Sequence, residues 1–175
     1  MRYFVLKQDE EITGSPLPNG FHQSIDVRHV SAGKADMIPA RSFIRLYPYE
    51  HTVFPDLLCK PLLLVTYEMK EVISAYEQYL IYQQILFLDL KYRLSQLYFM
   101  PMLEVIDCLS EKSEYTNTGR GAFSMVVLKR APIRDNSLFQ VMNKTQRIYI
   151  IRLDLAESLL GRNCKGFTIT EAPLE

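Results

Sequence analysis

Apolar residues are arranged differently in the first third of the chain and in the rest of it. In the first third, proline, glycine and polar residues interrupt every apolar stretch, as in the Gly-Ser-Pro-Leu-Pro-Asn-Gly segment at 14–20. Two short strands, at 2–6 and 42–47, fit between these interruptions. The pattern predicts that residues 1–60 form strands and long loops, which pack on a core built mainly by residues 61–175.

A helical repeat begins soon after this change. The apolar run at 62–65 is either a buried strand or the lead-in to a helix. Thr66 then stands at an N-cap position, where its hydroxyl can accept a hydrogen bond from an amide of the first turn. Apolar side chains recur after it at helical spacing, at Met69, Val72, Ile73, Tyr76 and Tyr79. We predict a helix that ends near Tyr79.

The remainder of the chain has the character of strands. Segments 85–90 and 97–106 are rich in β-forming residues, and the polar link 91–96 predicts that they pair as antiparallel neighbours. Because Pro101 lacks an N–H, we expect the second of them to be an edge strand or to carry a bulge. Further strands are predicted at 123–128, 138–142, 148–151 and 167–170.

A second helix is predicted between the last two of these strands. Asp154 stands where a cap is expected, Leu155, Leu159 and Leu160 share one face, and Gly161 suits the left-handed residue that ends a helix. Runs of strands with helices inserted singly are typical of the α+β class. We expect one domain with a mainly antiparallel sheet, one longer helix, one short helix and a loop-rich N-terminal third.

Charge and cysteine content narrow the possible partners and compartment. Lys+Arg and Asp+Glu both total 20, with seven of each in residues 1–60, so no half of the chain is basic or acidic. This balance argues against nucleic-acid and membrane-surface partners, although Lys129, Arg130 and Arg134 keep nucleic-acid binding open as a third hypothesis.

Three features of the sequence are typical of a cytoplasmic protein. The three cysteines are widely spaced, the apolar run at the N-terminus is very short, and no segment has the length of a membrane span. A homo-oligomer remains possible.

The sequence contains no motif for catalysis, a metal or a nucleotide. It has no G-x-S-x-G, no P-loop, no G-x-G-x-x-G and no Cys-x-x-Cys. We therefore expect no catalytic residue, no cofactor and no metal site, and a protein that is not an enzyme. The alternative is a small hydrolase-like enzyme whose site is assembled in the first third, with His51 and Cys59 as a thiol–imidazole pair.

A polar stretch at 110–121 is the best candidate for partner binding. We predict a surface loop, in which Glu111, Glu114 and Arg120 supply charge and Tyr115 supplies an aromatic anchor. A purely solvated loop is the simpler interpretation. Three tyrosines around the end of the first helix are a second candidate, equally compatible with core packing: Tyr76, Tyr79 and Tyr82.

The order of several segments resembles a known bacterial family. These segments are Phe54-Pro55-Asp56, 61–66, 69–72, 105–110, 126–129, 138–141, 149–157 and Gly166-Phe167. They are similar to the myxobacterial-type immunity-protein domain found beside polymorphic toxins, over roughly residues 54–170 and at 1–6. The resemblance implies a small cytosolic protein that binds and blocks a toxin of its own cell, and it brings no catalytic motif.

Overall fold

The computed structural model describes residues 1–116, 123–144 and 146–175 of the chain. Within them the strands are β1 (Tyr3–Gln8), β2 (Arg41–Arg45), β3 (Leu57–Leu58), β4 (Leu64–Val65), β5 (Tyr82–Asp89), β6 (Leu94–Pro101), β7 (Glu114–Tyr115), β8 (Phe123–Met125), β9 (Leu138–Asn143), β10 (Gln146–Arg152) and β11 (Phe167–Ala172). The helices are α1 (Phe21–Ser24), α2 (Tyr67–Tyr76) and α3 (Leu153–Gly161), with two single-turn 3-10 helices at Val27–His29 and Ala35–Met37.

The strands form two main sheets and a small ribbon. The four-stranded sheet has the order β11-β1-β10-β9, the five-stranded sheet has the order β2-β5-β6-β4-β3, and β7 pairs with β8. All described pairings between these strands are antiparallel except that of β2 with β5, which is parallel. The expected α+β class with a mainly antiparallel sheet is therefore confirmed. The two longer helices differ little in length, with ten residues in α2 and nine in α3.

Three buried clusters hold these layers together. The central cluster joins α2 and α3 to one face of each main sheet, with Phe4 and Tyr149 from the four-stranded sheet and Val65 and Phe99 from the five-stranded sheet. A second cluster packs the opposite face of the five-stranded sheet against the N-terminal segments that contain α1. The third cluster lies on the far face of the four-stranded sheet. Segments of the first third thus complete the second cluster, and β1 is an interior strand of the four-stranded sheet, between β11 and β10.

Buried hydrogen bonds tie the segments that connect these layers. The Tyr149 hydroxyl of β10 accepts from the Leu63 N–H, 3.0 Å away, just before β4. Asp89, at the end of β5, is buried and accepts backbone N–H bonds from Tyr49, Lys91 and Tyr92. Burial alone raises the pKa of Asp89, but these three donors hold the pKa below its ordinary value. The carboxylate therefore fastens the β5–β6 turn to the segment that follows β2.

The beginning of α2 differs from its prediction in one bond. Thr66 is the N-cap residue, as predicted, but its hydroxyl makes no bond to the helix and instead donates to a carboxylate oxygen of Asp56, 3.0 Å away. This bond to a carboxylate is charge-assisted and holds the hydroxyl toward Asp56, and no amide of the first turn bonds to its oxygen. The helix also ends at Tyr76, one turn before the predicted end at Tyr79.

Both ends of α3 were assigned wrongly from the sequence. The N-cap residue is Arg152, while Asp154 lies in the first turn and accepts from the Leu155 N–H. The helix continues through Gly161, and the left-handed residue is Asn163, with φ 61°. The N–H of the next residue returns to the Leu159 carbonyl at 3.1 Å, which closes a Schellman motif. Asparagine tolerates this backbone conformation, so it replaces the expected glycine.

Two strand predictions and one loop prediction also need correction. Pro101 neither places β6 at an edge nor lies in a bulge, since β6 is the middle strand of its sheet and Pro101 is its last residue. The sheet tolerates the missing N–H because the Pro101 nitrogen is on the side away from β5, and the next N–H, that of Met102, still donates to the Ile81 carbonyl at 2.9 Å. In the stretch 110–121, which was predicted to be a loop, Glu114 and Tyr115 form β7 and pair with β8, while residues 117–121 lie outside the described part of the chain. The strand predicted at 123–128 is shorter than expected and ends at Met125.

Candidate partner-binding surface

The ribbon formed by β7 and β8 carries most of the residues predicted to bind a partner. Glu111 lies in an exposed turn, and Glu114 and Tyr115 are exposed on β7. Arg120 lies outside the described residues. The Tyr115 ring is stacked on Phe123 with ring centroids 4.5 Å apart, yet 53% of Tyr115 is accessible. Tyr115 therefore has both a packing role and a free surface.

Hydrogen bonds to the C-terminal residue hold the base of this ribbon. The Ser110 hydroxyl donates to Glu175 at 2.5 Å, and the Lys112 ammonium lies 2.6 Å from the other carboxylate oxygen. The hydrogen bonds from Lys112 and then Ser110 lower the pKa of Glu175. The base of the ribbon is thus fixed, so its exposed side chains are presented on an ordered element.

The tyrosines near α2 divide into structural and free groups. The Tyr76 hydroxyl lies 2.5 Å from the Ser158 hydroxyl of α3, so it joins the two helices. Burial is the main cause that raises the pKa of Tyr82 to about 12. Tyr79, in contrast, is 96% exposed. Of these three residues, Tyr79 alone projects fully into solvent, after the end of the helix.

The structure does not assemble the thiol–imidazole pair of the alternative hypothesis. His51 is exposed and packs edge-to-face against Tyr49, with centroids 5.9 Å apart. Cys59 is half-buried, and burial raises the pKa of its thiol to about 12, opposite to the shift that activates a nucleophile. No hydrogen bond joins these two side chains in the part of the chain that is described. The short separation of His51 and Cys59 in the sequence does not lead to a hydrogen-bonded pair.

One cavity near Cys59 is lined by residues of mixed chemistry. It measures about 1180 Å³ and lies along the ends of β1 and β10, and Cys59 is on its wall. Side chains of both signs line it, including Lys7, Lys60, Asp9 and Glu10. Residues 1–116, 123–144 and 146–175 contain no cluster of three or more His, Cys, Asp or Glu able to hold a metal. The lining therefore selects no particular class of ligand.

An exposed apolar row crosses the five-stranded sheet, and sequence reasoning missed it. Register places Phe43 of β2 opposite Leu86 of β5, and Leu86 opposite Leu97 of β6. Phe43 is 70% exposed, Leu97 is 38% exposed, and Leu86 is half-buried. Because paired residues in a sheet point to the same face, these three side chains form one continuous strip. We call it the Phe43 strip.

Helix α2 leaves this strip uncovered because it packs over the other end of the same face. There Phe99 of β6 faces Val65 and is buried under the helix, with the Tyr67 ring 6.1 Å away. The Lys70 ammonium of α2 lies 5.2 Å from the centre of the Phe99 ring. The helix thus covers one end of this face, and the Phe43 strip lies beyond the helix.

Two arginines flank Phe43 on its own strand. Arg41 and Arg45 lie two residues before and after Phe43 and share its face of β2. Both are exposed, and within the described residues neither makes an ion pair. Across the sheet their paired neighbours are Gln84 and Leu88, so no acidic side chain lies in these rows. An apolar strip between two unpaired arginines suits an acidic partner surface.

Part of this surface was visible in the sequence. The alternation of Arg-Ser-Phe-Ile-Arg at 41–45 places an aromatic residue and two arginines on one face of a strand. The sequence does not say which face of the sheet the helix covers. That depends on tertiary packing between distant segments.

Comparisons with known proteins provide no family assignment. No protein-family model matches the chain, and no curated protein matches it either. In the described part of the chain, no helix has both the length and the apolar character needed to cross a membrane.

Proposed function

We propose that the protein is a non-enzymatic binding module, most specifically a cytoplasmic immunity protein that neutralises a cognate bacterial toxin. The Phe43 strip is the single observation that carries the binding role. Contiguous apolar patches on a protein surface often mark interaction sites, and in this strip Phe43, Leu86 and Leu97 lie side by side on one face of the sheet. The toxin as partner comes from the resemblance to immunity-protein domains in the order of hydrophobic segments.

The composition of the strip is that of an interface centre. Binding energy concentrates in a few aromatic and arginine residues surrounded by contacts that exclude water. Phe43 lies between Arg41 and Arg45 on a strand whose position is fixed by pairing with β5. A partner that covers this face needs no conformational change in the sheet, which lowers the entropic cost of binding.

The ribbon is a second candidate for the same function. Tyr115 is exposed, Met125 of β8 is 38% exposed, and the base of the ribbon is fastened. These two side chains stand on two short strands, whereas the Phe43 strip has three apolar side chains in register across longer strands. A partner large enough to cover the sheet face can contact both surfaces or only one.

Co-expression tests the proposed function directly. The chain is produced with the polypeptides encoded by neighbouring genes, and both survival of the cells and co-purification are measured. We expect one of these polypeptides to be toxic alone, harmless with this chain and retained on it. Phe43→Ala should reduce both protection and retention. Leu160→Ala, a truncation of an exposed leucine on α3, is the matched control and should change neither.

If no neighbouring gene encodes a toxic or secreted polypeptide, the immunity role loses its support. Protection without a complex would instead indicate that the chain acts chemically on the toxin or its target. That outcome would favour the alternative, an enzyme, although not one based on His51 and Cys59.

A further inference from the structure

The five-stranded sheet has an uncovered area beside α2, on the same side of the sheet as this helix. Helix α2 packs over β4 and β6, because its Met69 lies in the central cluster with Val65 of β4 and Phe99 of β6. In the order of strands, β5 and then β2 follow after β6. The exposed area over them consists of the Phe43 strip with Arg41 and Arg45, and we call it the open face.

The open face has the width of one helix. Neighbouring strands lie about 4.8 Å apart, so β2 and β6, with β5 between them, are separated by about 10 Å. An α-helix with its side chains measures about 10–12 Å across, and the axes of packed helices lie about 8–10 Å apart. A helix packed beside α2 therefore lies about two strands further along the sheet. There it covers Phe43, Leu86 and Leu97 together.

Side chains of α2 form one wall of the open face. The Lys70 ammonium lies 5.5 Å from the ring centre of Tyr82, the first residue of β5, and 5.4 Å from that of Tyr67. These contacts show that this side of the helix is turned toward β5. Lys70 also pairs with Glu71 at 3.1 Å, so the wall is close to neutral. Tyr67 is 55% exposed and adds aromatic surface to the wall.

The opposite rim of the open face is cationic. Arg41 and Arg45 are four residues apart on β2, which corresponds to about 13 Å along a strand. In a helix, two residues seven positions apart lie on the same side and about 10.5 Å from each other. The long arginine side chains can make up the difference. Two acidic residues with this spacing, on a helix that runs along β2, can therefore each reach one arginine.

Charge distinguishes this occupant from two others. Two copies of the chain joined through the open face would bring four arginines together, and the rows that contain these arginines carry no acidic side chain. Like charges across an interface are unfavourable, so the open face disfavours a homodimer. A nucleic acid would meet only two unpaired cations here, on a chain with no net charge. An acidic segment of a protein satisfies both the arginines and the apolar strip.

We propose that the open face binds an amphipathic α-helix of the partner protein, packed beside α2. The apolar side of this helix lies on Phe43, Leu86 and Leu97, as in other complexes in which a groove receives a helix. Two acidic residues seven positions apart on the helix pair with Arg41 and Arg45. This inference rests on the proposed function, because it specifies which kind of segment of the protein partner docks on the Phe43 strip.

Synthetic helical peptides provide the probe. The Glu peptide is end-blocked and fluorescein-labelled, with leucines at helical spacing along one side, two glutamates seven positions apart beside them, and alanine and glutamine elsewhere. Its fluorescence anisotropy is followed as this protein is added. The Lys peptide replaces both glutamates with lysine, and the Pro peptide replaces one central alanine, away from the leucines, with proline. Each should bind at least about tenfold more weakly, because the first loses the ion pairs and the second loses the helix.

Charge reversal shows where the peptide binds. The double variant Arg41→Glu with Arg45→Glu should bind the Glu peptide at least about tenfold more weakly and should prefer the Lys peptide. Arg130→Glu with Arg134→Glu is the matched control, because it makes the same change in net charge at two other exposed arginines. At physiological salt it should change either affinity by less than about twofold. Circular dichroism checks that all variants are folded.

Several results would overturn the bound helix. They are no saturable anisotropy change with protein up to about 1 mM, equal binding of the Pro peptide, no change of preference in the Arg41 and Arg45 double variant, or tighter binding of oligothymidylate than of the Glu peptide. A homodimer that Phe43→Ala dissociates would show that a second copy occupies the open face.

The toxin separates this inference from the proposed function. Retention of toxin by a chain that does not bind the Glu peptide refutes the bound helix alone. Peptide binding with the expected change of preference, by a chain that retains no toxin, refutes the immunity role alone.

Discussion

Removing one oxygen atom tests how the two main sheets are joined. In Tyr149→Phe the ring keeps its place in the central cluster, but the Leu63 N–H loses its acceptor at 3.0 Å. Leu63 is only 2% exposed, so water does not replace the lost partner. A buried donor left without an acceptor costs about 1–3 kcal/mol.

The assay is equilibrium unfolding in urea, with thermal unfolding as a second readout. In a domain of this size, each kcal/mol shifts the midpoint by about 2–4 °C, so Tyr149→Phe should lower it by about 2–12 °C. Tyr67→Phe is the matched control. It removes the same atom from a tyrosine that is 55% exposed and whose hydroxyl has no hydrogen bond in the described structure. Its free energy of unfolding should change by less than about 0.5 kcal/mol.

Equal effects of the two substitutions would refute this account of the buried bond. So would a destabilisation by Tyr149→Phe below about 0.5 kcal/mol, because the Leu63 N–H would then be satisfied in some other way.

Three further predictions follow from single contacts. Because its pKa is lowered in the folded state, the Asp89 carboxylate stabilises the fold above about pH 4 and loses this effect as pH falls further. In urea titrations at pH 7 and pH 3, Asp89→Asn should be less stable than the unaltered chain at pH 7, with a smaller deficit at pH 3. Gly166→Ala should lower the thermal midpoint more than Gly33→Ala: both glycines have φ near +80°, but only at Gly166 does an added Cβ lie 2.5 Å from Pro55. Tyr115→Ala should weaken partner binding by at least about 1 kcal/mol if the ribbon is an interface, and calorimetry should also show a small stability loss from the broken ring stack.

Periodicity was sufficient to predict the regular elements of the core. The hairpin of β5 and β6 followed from two β-rich segments with a polar link, and α2 followed from apolar residues at helical spacing. These signals are local, because each reflects one face of one element. The corrections concern groups whose partners are distant in sequence, such as the Thr66 hydroxyl, which bonds Asp56 instead of the helix.

The Phe43 strip could not be predicted without knowing which element covers each face of the sheet. Segment 85–90 is almost uniformly apolar. Its sequence therefore does not distinguish Ile85 and Phe87, which are buried against the N-terminal segments, from Leu86, which lies half-buried on the opposite face of the sheet. Which part of this face is covered depends on α2, which precedes β5 in the chain and packs over Phe99 of β6. The exposure of Phe43 follows from that placement, and no pattern within 41–45 reports it.

Calorimetric titration of the purified toxin into this protein tests the central claim most directly. The account predicts a saturable complex, an affinity lowered at least about thirtyfold by Phe43→Ala, and an unchanged affinity in Leu160→Ala. A toxin that binds the Phe43→Ala variant as tightly as the unaltered chain would contradict the assignment of the Phe43 strip as the interface.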